Sequence, residues 1–164
     1  MSRSLDSLAP YFAPVAKSFV ATLKERGVRC IVWDAGRTTA AQVALFAQGR
    51  ETLAEVNRLR SIADMPPIDA ADNTYTVTDC DGVTRKSRHQ SLEALDIVVL
   101  DSKGRPAWNY INHSDEYKQI ADIAAEFGLD SGARWMKRAD GSPSPYASVG
   151  LGWDPPHHEK RRNA

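Results

Sequence analysis

The sequence has few cysteines, no excess of either charge and no long apolar run, and each shortage closes off a class of protein. Two cysteines, Cys30 and Cys80, in 164 residues cannot staple a disulfide scaffold. No CxxC pattern occurs, so a metal site has to come from the four histidines and the carboxylates. Cys30 lies in the apolar run Val28 to Trp33, where a buried, inert thiol is the plain reading. Lys plus Arg and Asp plus Glu both number 21, which leaves a formal charge of zero and removes the basic excess of a protein that coats nucleic acid. No stretch approaches the ~20 apolar residues of a membrane-spanning helix. The first twenty residues also lack the basic start and apolar run of a secretory signal, so no leader or integral membrane segment is expected. Neither GxGxxG nor GxxxxGK is present, and there is no internal repeat.

What is there reads as one α+β domain, a short antiparallel sheet with flanking helices. Phe12, Val15, Phe19 and Leu23 recur at helical steps up to Gly27, with Pro14 confined to a first turn. Val28 to Trp33 predicts a buried strand. Thr39 with Gln42, and Thr52 with Glu55, form capping-box patterns that predict two short helices, the first meeting Gly49 and the second ended by Pro66-Pro67. Asn73 to Thr78 and Leu95 to Leu100 predict paired strands, with a turn signal at Asp81-Gly82. Ser114 is placed as the cap of a last helix that carries Tyr117, Ile120, Ile123 and Phe127 and stops at Gly128.

Two segments could carry chemistry. In Ser87-Arg88-His89-Gln90-Ser91-Leu92-Glu93-Ala94-Leu95-Asp96, His89 and Asp96 would point to opposite faces of a straight strand. They can share a zinc ion, with bonds near ~2 Å, only if the chain bends between them. In Trp153-Asp154-Pro155-Pro156-His157-His158 the prolines exclude an interior helix and display Asp154 and His157 on a stiff strut. Together the segments offer two imidazoles and one carboxylate for a metal, with a spare carboxylate three residues before one imidazole. His113, just before the predicted cap, reads as an exposed loop residue. His158 could bind metal if the strut were rotated.

Ser87-x-His89-x(6)-Asp96 resembles the SxHxxGxAxD motif of the M15 zinc peptidases, which include D-alanyl-D-alanine carboxypeptidases and the L-alanyl-D-glutamate endopeptidases of phage endolysins. Asp154-Pro155-Pro156-His157 is similar to the DPPH element of the endolysin branch, and Gly36-Arg37-Thr38 and Leu45-Phe46-Ala47-Gln48-Gly49-Arg50 are similar to its YRS and LYAQGR stretches. Leu92 stands where the family motif has glycine. The resemblance implies a hedgehog/D-Ala-D-Ala metallopeptidase-like fold, Zn²⁺ held by His89, Asp96 and His157, and Asp154 as general base and acid. It further implies Arg37 as a catalytic and substrate-binding cation and Ser87 as a residue that orients the first ligand loop or touches substrate. On the residues alone, Arg37 could instead pair with Asp34, and Ser87 could be a turn residue.

The expected activity is that of a phage endolysin, an enzyme hydrolysing the L-Ala-D-Glu bond of peptidoglycan and causing bacteriolysis. The alternatives are a D-alanyl-D-alanine carboxypeptidase and a non-catalytic, zinc-containing wall-binding module. The catalytic domain is expected over residues 1–159 and a basic tail over 160–164. The protein is expected to be a monomer that binds bacterial peptidoglycan and no nucleic acid, held in the cytoplasm of an infected host until released to the wall.

Overall fold

A computed structural model describes residues 2–161. Its sheet has four antiparallel strands, β1 (Cys30–Asp34), β2 (Ala94–Val99), β3 (Leu129–Ser131) and β4 (His157–Lys160), in the order β1-β2-β4-β3. One face packs on α1 (Ala13–Glu25) and α4 (Ser114–Glu126). Phe12, Phe19 and Leu23 from the first helical segment meet Leu95, Ile97, Tyr117, Ile120 and Ile123 there, all essentially removed from water. Each such side chain contributes about 1.5–3 kcal/mol of transfer free energy. The helices α2 (Thr39–Ala47) and α3 (Leu53–Ile62) build a smaller cluster of Ala41, Ala44, Leu45 and Met65. Among the described residues no helix is long and apolar enough to cross a membrane.

Several expectations shift on contact with the structure. Asn73 to Thr78 forms no strand: a short 3-10 turn spans Asp72–Thr74, and Tyr75 and Val77 stand exposed. β2 is already bonded to β1 on one side and β4 on the other, so a β-prone segment finds no free edge beside it. The helix caps move as well. Thr38, not Thr39, accepts from Ala41 N–H at the start of α2, which frees Gln42 for another use. Ser114 is the first residue of α4, and His113 occupies the cap position with no side-chain bond to a backbone N–H of the first turn. At α3 the Thr52 hydroxyl does accept from Glu55 N–H, as the pattern predicts. Lys160 closes β4 and Arg161 pairs with Asp130, so the start of the basic tail is part of the sheet, while residues 162–164 lie outside the described residues.

Candidate metal centre

The site is laid out by strand register. Asp34, Asp96 and His157 are paired neighbours on β1, β2 and β4, so they form one row across the sheet. A register shift between Val32 and Asp34 makes Trp33 the extra residue and brings Asp34 opposite Asp96; bulges of this kind re-aim side chains beside functional sites. The adjoining row of Leu95, His158 and Ser131 faces the core. Alternation along a strand therefore sends His157 and His158 to opposite sides.

His89 reaches this row from the loop before β2. The bend it needs is made at Leu92, whose φ of 60° lies in the left-handed region usually reserved for glycine. Leu92 keeps that conformation because its backbone is bonded at both ends, N–H to the His89 carbonyl and carbonyl to Ala9 N–H, while its side chain packs on the core. The Ser87 hydroxyl accepts from His89 N–H at 3.3 Å, and Gln90 ties the loop to the Gly82 carbonyl and Thr39.

The result is a triangle of donor atoms. His89 Nε2 lies 3.2 Å from Asp96 Oδ1 and 3.2 Å from His157 Nδ1, and the remaining edge, His157 Nδ1 to Asp96 Oδ1, is 3.4 Å. A tetrahedral zinc ion with bonds of about 2.0–2.1 Å holds its ligand atoms about 3.3 Å apart. The donor set, two imidazoles and a carboxylate, is one that zinc accepts, so these residues fit the ion. Electrostatics agree. Burial pushes the Asp96 carboxyl up, but the attraction of His89 and His157 outweighs it and holds the group well below the usual carboxylate range. Burial opposes a charge on His157 too, yet hydrogen bonds to Asp96 and Glu159 raise its imidazole to about 10. The triangle is a well for positive charge.

Surrounding groups fix these side chains. His157 Nε2 bonds Glu159 Oε2 at 3.0 Å, an arrangement that assigns the proton to Nε2 and leaves the Nδ1 lone pair toward the triangle. At the β1 end of the row, Asp34 is fully buried and accepts from Arg37 Nε and Nη2 at 3.0 and 2.7 Å. Arg37 Nη1 donates to Gln42 Oε1 at 2.8 Å, and Gln42 is anchored in turn on Thr78 and the Cys80 carbonyl. Arg37 Nη2 also lies 3.8 Å from Asp96 Oδ2. Arg37 thus pairs with Asp34 and sits beside the triangle at once.

Asp154 is delivered by backbone packing. Gly152 and Trp153 donate to the carbonyls of Ala133 and Trp135, and a Cβ on Gly132 would lie 2.0 Å from the Asp154 carbonyl oxygen. Burial raises the Asp154 carboxyl, as does Asp96; His157, His89 and Arg37 pull the other way. Burial is the largest of these influences, so the carboxyl stands above its ordinary value. Aromatic rings flank it. Trp135 lies 5.3 Å from His157 and 5.4 Å from Trp153 between ring centroids, and the Tyr110 hydroxyl is pushed up by burial and by neighbouring charges that include Asp154 and Asp96.

Neither a family model nor a curated protein matches the sequence. Solved structures do. The LdcB LD-carboxypeptidase, described for its recognition of peptidoglycan, superposes with a TM-score of 0.54 at 15% identity, covering 98% of this chain and 63% of that one. The VanY D,D-pentapeptidase of a VanB-type resistance cassette, in complex with Zn(II), gives 0.51 at 18% identity over 93% of this chain and 72% of its own. VanYB with D-alanine-D-alanine gives 0.52 at 18% identity, covering 93% and 71%. The chain shares the fold of these LdcB and VanY structures. It spans less than two thirds of the length of LdcB.

Within that fold, the three histidine and aspartate candidates for metal binding converge, and Arg37 and Asp154 lie in their electrostatic neighbourhood. The Ser87 hydroxyl meets the His89 loop at the His89 N–H, and the Ser87 N–H and carbonyl are both bonded to Gln90. His158 is a core residue: its ring lies 5.3 Å from Phe19, Nδ1 bonds the Pro156 carbonyl, and burial lowers it to about 4. His113 pairs with Glu116 on α4. Sequence reasoning missed Glu159, Gln42 and the aromatic flanks. Glu159 was within reach, since it stands two residues after His157 on a strand and so shares its face.

Proposed function

We propose that the chain is a zinc-dependent peptidoglycan hydrolase of the endolysin type, cleaving the L-Ala-D-Glu bond of the stem peptide. The observation that carries the reading is the donor triangle with edges of 3.2, 3.2 and 3.4 Å in the neighbourhood of a carboxyl raised by burial. Zinc, when bound by His89, Asp96 and His157, supplies Lewis acidity and lowers the pKa of a water toward ~7. Asp154 accepts the proton released by the attacking water and delivers it to the departing amine. Arg37, held in orientation by Asp34 and Gln42, offers positive charge to an oxyanion or to the D-Glu carboxylate. Glu159 keeps His157 in the binding tautomer. Trp135, against His157 and Trp153, adds apolar surface beside the triangle. The second reading, a D-alanyl-D-alanine carboxypeptidase, is favoured by the carboxypeptidase neighbours and uses the same residues.

Asp154→Asn tests the assignment. Zinc content should stay at one ion per chain while turnover of cell-wall substrate falls by about 10²–10⁴. Wild-type lysis by that variant, or undiminished lysis after exhaustive chelation, overturns the mechanism.

A further inference from the structure

The segment after β2 carries a row of rings that the peptidase chemistry leaves unused. Pro106 bridges back to Leu100, and Ala107 N–H donates to the Val99 carbonyl, so the chain turns and runs along β2 toward Asp96, beyond the stretch that pairs with β4. Trp108 follows, 48% exposed despite its size. It is held edge-on by Trp33, the bulge residue, at 5.0 Å, and Trp33 is itself covered by the Arg3 guanidinium at 4.5 Å. On the other side Tyr110 lies 6.5 Å from Trp108 and packs edge-on against Tyr117 and Tyr146 at 5.3 and 5.2 Å. Two exposed amides, Asn109 and Asn112, neighbour Trp108 and Tyr110 in the chain, with Asn109 Oδ1 accepting from Asn112 N–H. A fixed, partly exposed indole with neighbouring amides suits a ligand that offers an apolar C–H face and a rim of hydroxyl and acetamido groups.

From the row Trp33, Trp108 and Tyr110, which starts beside Asp34 in the bulge of β1 opposite Asp96, we infer that this surface is a saccharide subsite that binds the amino-sugar glycan bearing the scissile peptide. The inference rests on the cell-wall reading above and sharpens it. The first peptide bond of the stem lies closest to the sugar, so a glycan platform continuous with the site favours cleavage at L-Ala-D-Glu over cleavage at the distal D-Ala.

The test uses the zinc-loaded protein and glycan strands stripped of their peptides by an amidase. Wild type should bind these strands saturably. Trp108→Ala should weaken binding about tenfold or more, the scale of truncating an aromatic anchor, and Trp108→Tyr should restore most of it. With glycan-linked stem peptide as substrate, Trp108→Ala should raise KM more than it lowers kcat, and its loss should exceed the loss on free peptide about tenfold. Thermal unfolding of both variants guards against a folding defect. Absence of wild-type binding to the stripped strands, or equal binding by Trp108→Ala, overturns the subsite. The two readings fail separately: glycan binding without hydrolysis sinks the peptidase alone, and hydrolysis of free peptide without glycan binding sinks the platform alone.

Discussion

His157 and His158 are adjacent in β4, and their environments drive them in opposite directions. His157 lies in the row with Asp34 and Asp96, bonded to carboxylates on both ring nitrogens, and its imidazole is raised to about 10. His158 lies one residue on, against Phe19 and the Pro156 carbonyl, and is lowered to about 4. Burial is nearly equal in the two cases. The company differs: carboxylates favour a charge on one ring, while apolar contacts, the Pro156 carbonyl and the Ser131 hydroxyl leave the other neutral. The same four-stranded sheet therefore supplies a polar face for chemistry and a dry face for stability, and strand alternation alone separates them.

The sharpest way to break this comparison is to exchange the losses. His157→Ala should abolish zinc retention and wall hydrolysis, a larger effect than the ~10–100-fold that follows loss of an outer partner, with the fold intact by circular dichroism. His158→Ala should do the reverse. It should lower stability by about 2–4 kcal/mol in urea unfolding, because it opens a cavity in the core and removes one of the two hydrogen bonds to the Pro156 carbonyl, while zinc affinity of the folded protein changes little. Glu159→Ala comes next, with zinc affinity down by about 10–100-fold in competition against a chromophoric chelator.

A smaller effect lies in pH. The folded-state value of His158, about 4, is below the 6.5 of the free group, so between these values the unfolded chain binds the additional proton. This contribution to stability is complete above pH 6.5 and is lost as pH falls toward 4, up to about 3 kcal/mol. The difference between wild type and His158→Gln, both metal-free, should show that slope. The smallest effect belongs to Leu92. Left-handed backbone costs a leucine about 1–2 kcal/mol, so Leu92→Gly relieves strain as it loses packing and should stay within about 1 kcal/mol of wild type. Leu92→Ala keeps the strain, loses the packing and should be the less stable of the two.

The parts of this arrangement legible in the sequence were those written as local chemistry. The prolines before His157 and the helical spacing of Phe12, Phe19 and Leu23 were readable because each needs only its own neighbours. The need for a bend between His89 and Asp96 was also readable, and Leu92 supplies it. Asn73 to Thr78 misled because strand propensity was judged without knowing that both edges of β2 were taken. Gln42 was read as half of a capping box, but Thr38 caps the helix and Gln42 turns inward to Arg37. β3 and β4 escaped notice because LDS and HHEK carry little apolar patterning; their pairing is set by distant partners. The carboxylate behind Arg37 was foreseen as an alternative to a substrate role, and in the structure the ion pair is what orients the guanidinium beside Asp96.

The most direct measurement is mass spectrometry of the products released from purified sacculi by the zinc-loaded protein. The account predicts stem peptides with a new N-terminal D-Glu, leaving L-Ala on the muramyl residue. Release of terminal D-Ala alone, with the L-Ala-D-Glu bond intact, would contradict it.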